Sequence, residues 1–167
     1  MSVIVIADWI KRVADEERKR DAARLALQEE AARKADLVRR HGRRLVEELH
    51  AAIVRDVESF RNEFSNDHSR EIVLDAGKPD SGFVVSKPAS PPVSLTVDPR
   101  LAAGTMACHY RFTSPNGLPP RDDRFDVVFT GDGEALQMKH HDTGRVFATA
   151  DALSEFLLVP VFTGRPR

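Results

Sequence analysis

Between Ala7 and Phe64 the chain contains no proline and a single glycine, Gly42. Proline and glycine are the residues that most readily interrupt a helix, and this stretch is otherwise dominated by alanine, leucine, glutamate and arginine, all strong helix formers. A continuous helix here would run roughly 80 Å at about 1.5 Å per residue, too long for a small compact domain. A chain of 167 residues that begins this way is expected to have one ordinary domain and an extended appendage.

The two halves of the run differ. In the first, Ile10, Val13, Leu25, Ala32, Ala35 and Val38 form a narrow apolar stripe with gaps at Glu17 and Asp21. Opposite charges about one turn apart, such as Glu16 with Arg20 and Glu29 with Arg33, support an exposed helix. Such a helix draws most of its stability from a partner. In the second half, Val46, Leu49, Ile53, Val57, Phe60 and Phe64 recur at spacings of three and four. That is a broad amphipathic face expected to pack on the domain C-terminal to it. The character changes at His41-Gly42, where a kink or break is expected, so the chain divides into 1–41, coiled-coil-like, and 42–167.

After Asp67 short β-like runs alternate with turn residues. Strands are expected at 71–75, 82–86, 93–97, 105–113, 125–130, 135–141 and 145–149. The breakers between them are 77–81, Pro88 to Pro92, Asp98-Pro99, Pro115 to Pro120 and 131–133. Connections this short imply antiparallel pairing. Pro88, Pro91 and Pro92 suggest an edge or linker. The stretch from Thr149 reads as a short helix, capped by Thr149 or Asp151, ended by Pro160, and buried through Leu153, Phe156, Leu157 and Val161. The fold class is therefore α+β: a long N-terminal helix, an antiparallel sheet of about five to seven strands, and a short C-terminal helix.

Composition limits the function. Charged residues make up 31% of the chain but the net charge is −1, which gives no global steering toward polyanions. Cys108 is the only cysteine, so no intrachain disulfide can form; this fits a reducing, cytoplasmic setting. The N-terminal apolar run is short and lacks a basic leader region, so it does not read as a signal peptide. No segment reaches the roughly 20 apolar residues of a membrane span.

Local motifs promise more chemistry than they support. Asp142-Thr143-Gly144 matches the triplet around the catalytic residue of aspartic proteases, but that chemistry needs two facing aspartates and a preceding apolar strand. Here Lys139-His140-His141 precedes it, and a turn with Gly144 at positive φ is the better reading. Adjacent histidines on a strand point to opposite faces, as do Cys108 and His109, so neither pair makes a metal site alone. Cys108, Tyr110 and Phe112 share one face and read as core. The Gly131-Asp132-Gly133 and Ser114–Gly117 stretches lack the spacing and lysine of phosphate loops. Asp122-Asp123, between Arg121 and Arg124, is read as a charge-compensated loop. No motif implies a cofactor.

The leading expectation is a non-enzymatic interaction or assembly protein that meets a protein partner, a second copy or another chain, through Ile10, Val13, Leu25, Ala32, Ala35 and Val38. An alternative is a small ligand-binding or hydrolytic domain with His109, Arg111, Lys139 and His140 on an open sheet face. A third is polyanion or nucleic-acid binding through Arg39, Arg40, Arg43 and Arg44, the densest basic cluster, which has no aromatic stacking residues beside it.

Overall fold

The structure, a computed structural model, describes residues 7–78, 81–114, 116–132 and 135–167. Pro79, Asp80, Pro115 and Gly133, four of the expected breaker residues, and the apolar residues before Ala7 lie outside them. The chain divides into two units, Met1–Asp36 and Leu37–Arg167. Helix α1, Asp8–Glu63, contributes to both and is followed by seven strands and helix α2.

The first unit consists, where described, of the beginning of α1. Its side chains are almost all exposed. Ion pairs one turn apart line it: Asp15–Arg18 at 2.8 Å, Glu17–Arg20 at 3.0 Å and Asp21–Arg24 at 3.2 Å. Arg20 thus takes Glu17 rather than the expected Glu16; positions three and four apart are both neighbours on a helix. Each such exposed pair contributes only about 0.2–0.5 kcal/mol.

The second unit is a seven-stranded antiparallel meander in which each strand pairs with the next. The strands are β1 Val73–Asp75, β2 Phe83–Lys87, β3 Val93–Arg100, β4 Thr105–Phe112, β5 Arg121–Asp132, β6 Ala135–His140 and β7 Val146–Phe147; α2 is Ala150–Thr163. Alternation along each strand sends one set of side chains to the core. Val85, Leu95, Val97, Met106, Val127 and Phe129 are fully covered. The amphipathic half of α1 adds Val46, Leu49, Ile53 and Val57, and α2 adds Leu153, Leu157, Leu158 and Val161. The two helices also meet through polar groups: Ser154 Oγ, with no exposed surface, donates to Asp56 Oδ2 at 2.7 Å.

Several expectations need correction. No break occurs at Gly42: α1 continues through it. The glycine serves close approach, because a Cβ there would lie 3.2 Å from Leu101 Cδ2 and 3.2 Å from Val38 Cγ1. Pro160 does not end α2, which runs to Thr163 and closes on Gly164 at φ +67. The proline removes one helical bond near the end, while its ring and Val161 are buried. Pro99 lies inside β3, opposite Met106. Since β2 begins opposite Val97, β3 is an edge beyond it, and edges tolerate proline. Pro88, Pro91 and Pro92 mark neither an edge strand nor a linker; they form the short connection between paired strands β2 and β3.

Asp122 and Asp123 are in β5, not in a loop. Arg111 lies directly across from Asp122, and opposite charges across a ladder stabilise the first residues of β5, which carry no apolar pattern. Phe64 closes no core: it is 37% exposed. The remaining strand bounds differ from expectation by one or two residues at most positions, with β7 reduced to Val146–Phe147.

Candidate functional site

Four groups of residues could carry function, and each is positioned by the fold. In the first unit Trp9, Ile10, Val13, Leu25 and Leu27 are 60%, 43%, 46%, 55% and 67% exposed. Ala32 and Ala35 are exposed as well. Val38 differs: it is buried in the core of the second unit. Trp9 and Leu27 are not part of the stripe expected from sequence, though their helical spacing from Val13 is visible there. At about 100° per residue, Trp9, Val13 and Leu27 fall within roughly 40° of one another, whereas Leu25 and Leu27 lie about 160° apart.

The basic run of α1 is solvated and partly neutralised along its own helix. Arg39, Arg40, Arg43 and Arg44 are exposed. Arg43 donates to Glu47 at 3.2 Å and Arg44 lies 3.6 Å from Glu48.

The sheet residues His109, Arg111, Lys139 and His140 do not converge. His109 and Arg111 alternate with the buried Cys108, Tyr110 and Phe112 and so occupy the outer face. There His109 Nε2 meets Asp122 Oδ1 at 2.8 Å. That hydrogen bond, with the flanking positive charges, holds the Asp122 carboxyl below the ordinary range. Lys139 pairs with Val128 on the same outer face. His140 pairs with the fully buried Val127 and faces inward. Its ring stacks on Phe125 at 4.7 Å and meets Phe156 edge-on at 5.7 Å. Nδ1 accepts the Thr143 backbone N–H at 3.2 Å, so the turn after β6 is tied to an aromatic cluster. Gly144, at φ +73, completes that turn, and its N–H donates to His140 O at 2.9 Å. His140, Phe125, Phe156, Tyr110 and Phe112 line a cleft of about 240 Å³, with Arg167 at its margin, 3.6 Å from the Phe156 ring centre. Among the described residues no group of three or more His, Cys, Asp or Glu is placed to hold a metal ion.

The fourth group is one that sequence reading missed. Lys87 ends β2 on the inward-facing set of Phe83 and Val85, and only 5% of it is exposed. Its ammonium donates to Ala89 O at 3.0 Å and to Pro91 O at 3.5 Å. Burial, and then the charge of Arg70, lower the Lys87 pKa from the ordinary lysine value. Arg70 pairs with Asp67 at 2.7 Å and lies 4.7 Å over the Phe64 ring. Phe60 stacks on Phe162 at 4.1 Å with an interplanar angle of 10°. Phe60, Phe64, Arg70, Lys87, Phe162 and Arg165 line an open cleft of about 450 Å³. The signal is present in the strand pattern: a lysine in phase with Phe83 and Val85 faces the core, where lysines are rare.

Comparison with known proteins finds no matching family model, no similar curated protein and no similar solved structure. The class that the fold defines is architectural: an α+β chain with a leading helical unit and a helix-covered antiparallel meander. No helix among the described residues is long and apolar enough to cross a membrane.

Proposed function

We propose that this chain is a non-enzymatic interaction and assembly protein whose first helical unit pairs, coiled-coil fashion, with the same unit of a second copy. The observation that carries the reading is the exposure of Trp9, Val13 and Leu27 on one narrow face of that unit. A helix held only by exposed ion pairs is marginal in water. Large apolar side chains at helical spacing gain about 1.5–3 kcal/mol each on full burial. A second copy suits the charge pattern. Acidic and basic residues alternate in short blocks between Asp8 and Asp36, so two such helices meet without a net repulsive field. With a single buried cysteine, Cys108, the proposed setting is the cytoplasm.

The test is the oligomeric state of the full-length protein by sedimentation velocity over a concentration series. The expected result is a concentration-dependent dimer that Leu27→Glu dissociates. Wild-type protein that stays monomeric up to about 100 μM, a weak-dimer threshold, removes the proposal.

A further inference from the structure

We propose that the cleft between the C-terminal end of α1, the end of β2 and the C-terminal end of α2 binds a small aryl phosphomonoester. The reading is independent of the assembly proposal, because every residue involved belongs to the second unit.

Among the described residues three cations line the cleft, Arg70, Lys87 and Arg165, and no carboxylate does. Asp67 neutralises one of them through Arg70. Among the described residues neither Lys87 nor Arg165 has a carboxylate within ion-pair distance. Among the described residues two positive charges are therefore left without a compensating acid, which matches a phosphomonoester near neutral pH at about −1.5 to −2.

The donors fit that charge. An ammonium carries three protons, and two carbonyls take two of those on Lys87, leaving one. The guanidinium of Arg70 is held by Asp67 and by the Phe64 face, which orders it before any ligand arrives. Ser69, Ser90 and Thr163 supply hydroxyls to the lining. Ser69 is already engaged with Asp67 and Thr163 with Val159, so they hold the walls rather than wait for a ligand.

The aromatic part of the proposal comes from the other wall. Phe60 and Phe162 lie parallel, and Phe64 is tilted against Phe60 with centres 5.0 Å apart. A concave site with an apolar wall and a few convergent charged donors is the usual form of a small-molecule site. A bare oxyanion would use the donors and leave the rings idle; an aryl phosphate uses both. The chain packs closely at the rim of the cleft. A Cβ on Gly164 would stand 2.9 Å from Pro91 Cγ, so α2 closes directly on the β2–β3 connection and carries Arg165 to the cleft.

The experiment is a titration of full-length, isotope-labelled protein followed by two-dimensional amide NMR, with phenyl phosphate, inorganic phosphate and benzylamine as probes. Phenyl phosphate is expected to shift the amides of Ser69, Lys87, Ser90 and Arg165. Inorganic phosphate is expected to act on the same amides about tenfold more weakly, and benzylamine not at all. Arg165→Gln changes an exposed side chain and is expected to weaken phenyl phosphate at least about fivefold with the spectrum otherwise intact. Lys87→Met is expected to abolish binding; should that variant fail to fold, Arg165→Gln alone decides. The proposal is overturned if phenyl phosphate shifts none of these amides up to about 10 mM. Equal effects of benzylamine, or undiminished binding by Arg165→Gln, overturn it as well.

Discussion

Replacing Leu27 by glutamate and, separately, Leu25 by glutamate separates a true helix pair from a merely sticky surface. Leu27 is 67% exposed, so about two thirds of a leucine's burial energy is still available to it. Taking full burial as about 2 kcal/mol, a partner helix recovers about 1.3 kcal/mol per copy and about 2.7 kcal/mol for a symmetric pair. At about 1.4 kcal/mol per tenfold, losing both contacts weakens the dimer about a hundredfold, before the added cost of covering a carboxylate. Leu25 is 55% exposed, nearly as much, but sits on the far side of the helix from Leu27. A single partner helix cannot cover both, so Leu25→Glu is expected to change the dissociation constant by less than about threefold. Sedimentation velocity on the two full-length variants reads the difference directly, with circular dichroism to check that the helix persists. Equal weakening by both substitutions would refute a defined helix–helix seam and indicate diffuse hydrophobic association. Weakening by Leu25→Glu alone would move the seam to Ile10, Leu25, Ala32 and Ala35.

Three further predictions concern the second unit. Tyr110→Phe removes the hydroxyl that donates to Leu157 O; it should cost about 1 kcal/mol and lower the melting temperature by about 2–4 °C in calorimetry, and an unchanged value would mean that bond carries no stability. Gly82→Ala places a Cβ 2.6 Å from Val97 O at φ +88; since backbone must move, a loss of about 2–4 kcal/mol is expected in urea unfolding, and a loss under about 1 kcal/mol would contradict the tight β2–β3 approach. Burial, and next the Asp126 charge, push the Cys108 thiol from 9.0 up to about 12. The folded state therefore holds a proton that the unfolded state releases, so the contribution of Cys108 to stability is complete below pH 9 and is lost as pH rises toward about 12. Cys108→Ala should flatten that decline in urea unfolding, and the native thiol should resist an aromatic disulfide reagent until the protein is denatured.

The sheet is legible in the sequence because its core strands alternate cleanly. Val93, Leu95 and Val97 show it, as do Cys108, Tyr110 and Phe112, and all six are buried. The periodicity of Val46, Leu49, Ile53 and Val57 is equally reliable, since a helix face three to four residues apart has one geometric meaning. Punctuation misleads. Gly42, Pro99 and Pro160 are breakers by intrinsic preference, and each reads locally as an end. In the fold each sits where its usual penalty is small or offset: against a crowding leucine, on a strand past its neighbour's end, and in a buried last turn. Those circumstances are tertiary, so no local window contains them. The extension of β5 over Asp122 and Asp123 is hidden for a related reason, since its support is cross-strand charge rather than apolar pattern.

The candidate sites divide along the same line. The opposed placement of His109 and His140 needs the true register of β4 to β6, because alternation fixes faces within a strand and pairing relates one strand's faces to the next. The cleft around Lys87 shows the harder case. Arg70 lies beyond the end of α1, Lys87 ends β2 and Arg165 lies beyond the end of α2, so nothing in their separation along the chain suggests a common place. Each alone is an ordinary surface cation in sequence. Only Lys87 breaks a rule, by standing in phase with Phe83 and Val85 on a core-facing strand. A charged residue at a core phase must find polar partners, and here two backbone carbonyls provide them without cancelling the charge. Among the described residues no carboxylate lines the cleft either. The residue that most violates the local pattern is therefore the one from which the cleft could have been sought.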